Sequence, residues 1–71
     1  MIKTYIKEVK ILPVILIQAY DGATPEGNLL NSSLIELIDD NPNHAIEKAK
    51  ELMPDRKFFR VHQYIEKEIL T

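Results

Sequence analysis

The chain contains no cysteine. Disulfides are therefore excluded as a source of stability, and so are thiolate metal sites and cysteine nucleophiles. Long apolar runs are missing too. The longest, Ile11 to Ile17, is interrupted by Pro13, whereas a helix that spans a bilayer needs about 20 apolar residues. Met1-Ile2-Lys3-Thr4-Tyr5 has neither the apolar stretch nor the small-residue cleavage site of a signal peptide. These absences predict a cytoplasmic protein with no membrane partner. Neither sign of charge dominates: 9 Lys+Arg face 11 Asp+Glu, a net charge of −2. That balance gives no general attraction to polyanions, although it leaves room for a local basic patch.

What remains is a folding chain. Its 71 residues are 45% hydrophobic and 28% charged, a globular rather than a disordered composition. The length predicts one small domain over residues 1–71. A domain of this size buries only about 60% of its unfolded surface and is marginal on its own.

The pattern along the chain predicts the elements. Ile2, Thr4 and Ile6 alternate with Lys3, Tyr5 and Lys7, the period of a strand with one solvated face. The phase then changes near Lys7-Glu8, which reads as a bulge or tight turn. Pro13 has no N–H for a ladder and is expected at a strand start or edge. Val14 to Tyr20 is apolar on both faces at first, which predicts a central or covered strand. Residues 21–33 hold both glycines, Gly22 and Gly27, together with Pro25, and are expected to form a flexible loop.

Leu34 to Asp40 fits either a helix capped by Ser33 or a short strand. The strand is favoured because Asn41-Pro42 begins a helix directly afterwards. Ala45, Ala49, Leu52 and Met53 recur at helical spacing with Ile46 beside them, and Pro54 stops the helix at Met53. Lys57 to Lys67 alternates as a closing strand, with fraying expected at 68–71. The fold class is α+β: a small antiparallel sheet of three or four strands with one amphipathic helix packed on one face.

Reactive constellations fail on spacing. Asp39, Asn41 and Asn43 occupy the first, third and fifth places of a calcium loop. The sixth and twelfth are His44 and Lys50, where that loop needs Gly and Glu. The histidines are His44 and His62. The first sits at a helix start, where the dipole disfavours an imidazolium, and the second has no acidic neighbour in sequence. Gly22 and Gly27 are too far apart to cradle a phosphate ahead of a helix. The expectation is a non-catalytic protein without cofactor or metal.

The strongest positive signal is aromatic and basic. Phe58, Arg60, His62 and Tyr64 alternate along the last strand, and Lys3, Tyr5 and Lys7 would extend their face if the first strand lay beside it. Such a face suits a protein partner, in which Tyr, Phe and Arg are enriched. It also suits stacking of bases, which makes a nucleic-acid-binding module the alternative. A homodimer is expected, because the core is marginal and the second strand is apolar on both sides. The segment from Leu34 to Leu52 resembles a strand-to-helix unit found in many short bacterial and prophage-encoded proteins. That resemblance implies a fold element. It fits a regulatory phage or mobile-element accessory protein acting through protein contacts.

Overall fold

The computed structural model describes residues 9–70. The expected strand over Ile2–Ile6, the phase change at Lys7-Glu8, and the candidate residues Lys3, Tyr5 and Lys7 lie outside the described residues. Six elements follow in order: β1 (Val9–Tyr20), β2 (Gly22–Ala23), β3 (Leu29–Leu30), β4 (Ser33–Ile38), α1 (Pro42–Leu52) and β5 (Phe58–Leu70). The main sheet has the order β4-β1-β5, antiparallel throughout, and β2 and β3 form a separate two-stranded sheet. This is the expected α+β architecture.

β1 is the central strand because its apolar residues need cover on both faces. Ile15, Ile17 and Ala19 face α1 and are buried. They stand opposite Leu37, Ile35 and Ser33 on β4, and opposite Tyr64, Val61 and Phe59 on β5. From the helix, Ala45 and Ala49 close this core, with Ile46 at its margin. Two alanines on the contacting face let the helix axis approach the sheet without a gap. Leu52 was expected to join that face but is 62% exposed. The core is already closed by the alanines one and two turns earlier.

Pro13 does not mark a strand end. It lies inside β1, yet its position obeys the same physics. The Pro13 carbonyl accepts from the Asp39 N–H at 3.1 Å, so its backbone polar groups point toward β4. β4 ends at Ile38, opposite Val14. Pro13 thus makes one bond to Asp39 through its carbonyl and lacks the N–H that would complete the pair, and the β4 ladder ends there.

The helix start is built from side chains. Asn41 Oδ1 accepts from the N–H groups of Asn43 (2.9 Å) and His44 (3.4 Å), and Pro42 occupies the first turn. Asp39 supports the cap: it accepts from the Asn41 N–H at 2.9 Å and pairs with Lys48 at 2.8 Å. The polar run Asp39–His44 is thus a capping turn. Among the described residues, no group of three or more His, Asp or Glu side chains is placed to hold a metal.

Residues 21–33 are organised around the β2–β3 hairpin. The Thr24 N–H bonds to the Asn28 carbonyl at 2.7 Å, and the Gly27 N–H bonds back to Thr24 at 3.0 Å. Gly27 takes φ +88°, which a side chain would strain. β5 continues to Leu70, past the point where fraying was expected, because Val9, Lys10 and Ile11 of β1 pair with Leu70, Ile69 and Glu68. No helix among the described residues is long and apolar enough to cross a membrane.

Two substitutions test this account in urea unfolding. Asn41→Ala removes the cap acceptor and is expected to cost about 1 kcal/mol. Ala49→Leu overpacks the helix–sheet contact and is expected to cost about 1–3 kcal/mol. A neutral result for Ala49→Leu would mean that the contact is loose.

Candidate functional site: the open sheet face

One face of the sheet carries α1 and the other carries no element of the described chain. The even-numbered side chains of β1 point to this open face, and the register brings their neighbours into rows. Tyr20 stands opposite Phe58. Gln18 lies between Leu34 and Arg60, Leu16 between Glu36 and Gln63, and Val14 between Ile38 and Ile65. Val14 is only 1% exposed. The flanking apolar residues are not so covered: Leu34 is 55% exposed, Ile38 58% and Phe58 49%.

The polar groups of this face are held in place. Tyr20 and Phe58 stack with ring centroids 5.3 Å apart and planes at 21°. The Arg60 guanidinium lies 5.7 Å from the Tyr20 ring centroid and donates from Nε to Gln18 Oε1 at 2.7 Å. Gln18 Nε2 donates in turn to Ser32 Oγ at 2.6 Å. Further along, Lys67 pairs with Glu36 across the intervening central strand. The face is therefore a preset array, with aromatic and basic groups at one end and apolar groups beside an ion pair at the other.

Four of the seven sequence-predicted site residues fall within the described chain, and strict alternation would put them on one face. The structure brings together only Phe58 and Arg60. Val61 faces Ile17 and Gln63 faces Leu16, so His62 has no opposite residue and forms a bulge. The extra residue reverses the alternation beyond it. Tyr64 becomes the partner of Ile15 on the helix side, beside the turn into α1, and is 62% exposed. It lines a shallow depression of about 510 Å³ with Pro13, Asp39, Asp40 and Glu66. Asp39 is already committed there to Lys48 and the helix cap.

Tyr20, Gln18, Leu34 and Ile38 were missed as members of this face. A signal existed for two of them: Leu34-Ile35-Glu36-Leu37-Ile38 is apolar on both sides of a strand of which one face meets the helix. Tyr20 gives no local signal, since its stack with Phe58 depends on the β1–β5 register.

An anchor next to the aromatic end fixes the surrounding loops. Asp21 accepts from Asn31 Nδ2 at 2.8 Å, from the Lys57 N–H at 3.3 Å and from Arg56 Nη1 at 3.3 Å. Arg56 Nη2 also donates to Ser33 Oγ at 3.1 Å. Asn31 holds the left-handed φ of +50° that this geometry requires. The Asn31 amide, followed by the Lys57 N–H and Arg56, holds the Asp21 carboxyl below its ordinary value of 3.8. Its contribution to stability is then complete above pH 3.8 and is lost as the pH falls through the lowered value. Acid unfolding followed by circular dichroism should show a shallower fall below pH 4 in Asp21→Asn than in the parent. An unchanged acid limb would remove this anchor from the account.

No protein-family model, curated protein or solved structure matches the chain.

Proposed function

We propose that the protein is a small binding module without catalytic activity, and that it docks on another protein through the open face of its sheet. The observation that carries this reading is the exposed series Leu34, Ile38 and Phe58, which flanks the central strand on the face away from the helix. A monomer gains nothing by wetting this series, whereas a partner that covers it gains about 25 cal/mol for each Å² of apolar surface removed from water. The Tyr20–Phe58 stack and the braced Arg60 supply rigid anchors of the residue types that dominate protein interfaces. Binding would then cost little side-chain ordering.

The alternative, a nucleic-acid-binding module, uses the same aromatic–cation group. The charges favour it less. Lys67 is already paired with Glu36, which leaves Arg60 and Lys10 as the cations of this face without a carboxylate partner among the described residues. Affinity for nucleic acid rests chiefly on neutralised phosphates and falls steeply with salt.

Two measurements separate these readings. Affinity capture with the full chain should recover a protein partner, and Phe58→Asp and Leu34→Asp should each weaken that complex by about 30-fold or more, the loss of a 2 kcal/mol anchor, while the circular dichroism spectrum is kept. Capture untouched by both substitutions would defeat the proposal. Fluorescence anisotropy with a single-stranded oligonucleotide should show no saturable binding. Binding that weakens with salt and is lost in Arg60→Ala would establish the alternative instead.

A further inference from the structure

The second surface of interest is the outer edge of β5, at the border of the main sheet. It is 13 residues long and contains no proline. An exposed edge of this length is a template for pairing with another strand. The other edges are poorer templates. β4 offers six residues, and the free end of β1 on the β4 side is closed by Pro13, which has no N–H to give. We propose that the outer edge of β5 pairs antiparallel with the same edge of a second copy of this chain, about a two-fold axis at Ile65. This inference is independent of the open-face reading.

The hydrogen-bonding direction follows from the register. Pro13 points its backbone groups toward β4, so Leu12, Val14 and Leu16, on the alternate positions, point theirs toward β5. Their partners Lys67, Ile65 and Gln63 point back at β1. The backbone groups of Tyr64, Glu66 and Glu68 are left directed outward. Centring two copies on Ile65 sets Tyr64 against the partner's Glu66, and Glu66 against the partner's Tyr64. These two hydrogen-bonded pairs give about four backbone bonds.

Side-chain chemistry selects the centre. At Ile65, apolar meets apolar in the closely spaced, non-hydrogen-bonded pair. On either side a phenol hydroxyl meets the carboxylate of Glu66, and Gln63 meets Lys67. Further out, His62 meets Glu68 and Val61 meets Ile69. No like charges stand opposite one another. Centres at Glu66, Lys67 or Glu68 would each set a charge against its own copy, which is destabilising. A centre at Gln63 or Tyr64 would run the His62 bulges of both strands through the middle of the ladder, while the Ile65 centre leaves them toward its ends.

The resulting sheet has six strands in the order β4-β1-β5-β5-β1-β4. A two-fold axis perpendicular to the sheet keeps both helices on one side. Both open faces then lie side by side on the other.

Light scattering on the full chain at about 100 µM, above the dissociation constant of a micromolar dimer, should give about twice the chain mass of 8.2 kDa. Glu66→Pro removes an outward N–H that pairs with no strand among the described residues, so it should yield a folded monomer. Ile65→Cys introduces the only thiol of the chain. Non-hydrogen-bonded partners have Cα atoms about 4.5 Å apart, within disulfide range, so mild oxidation should link most of this variant as dimer. Leu34→Cys, on the far strand, should not be linked. A monomeric parent, a dimer that survives Glu66→Pro, or linkage through Leu34→Cys in preference to Ile65→Cys would each overturn the proposal. If Glu66→Pro does not fold, the cysteine pair decides alone.

Discussion

The approach of Ala45 and Ala49 to Ile15 and Ile17 is the contact on which the rest of the structure depends. The core is small, and most of its bulk comes from the sheet. The helix contributes little volume and serves mainly as a lid. A lid of this kind stabilises only if it lies close, because dispersion contacts fade within about an ångström of separation. Alanine at two successive turns makes that closeness geometric. The capping turn of Asp39 and Asn41 then sets where the helix begins, and so which residues form the lid.

The same economy explains the unequal faces of the sheet. One helix can cover only one side, and β1 is apolar on both. Val14 is buried on the face away from α1, in a row with Ile38 and Ile65. Among the described residues, α1 is the one helix, and it lies on the opposite face. The open face is thus a product of residue choice: the described strands carry more hydrophobicity than one helix can bury.

Much of this was legible in the residues. The helix, its cap and its stop were local signals and appear as read. The strand over Leu34–Ile38 was readable because a complete helix start follows it. The doubly apolar Val14–Ile17 stretch marked the centre of the sheet. Three things were not legible, and each depends on register. Pro13 sits within a central strand because β4 ends opposite Val14, which is a fact about a partner strand. The bulge at His62 reverses the faces of β5, and no local pattern distinguishes a bulge from simple alternation. The anchor of Asp21 to Asn31, Arg56 and Lys57 joins segments far apart in the chain. Alternation was a sound guide to Phe58 and Arg60 and misled at Tyr64, two residues past the irregularity.

The pairing of β1 with β5 also orders events in time. Tyr20 must wait for Phe58, and Val9 for Leu70. β1, β4 and α1 are complete before β5 has been made. During that interval the most apolar strand has one ladder edge unpaired. The loop that must close to satisfy it is the longest in the fold, and closing long loops is what slows folding in sheets of this topology. Exposed strand edges on incomplete chains are where misassembly starts. In this fold that exposure falls on the β5-facing edge of β1, and it ends only when Phe58–Leu70 has been added.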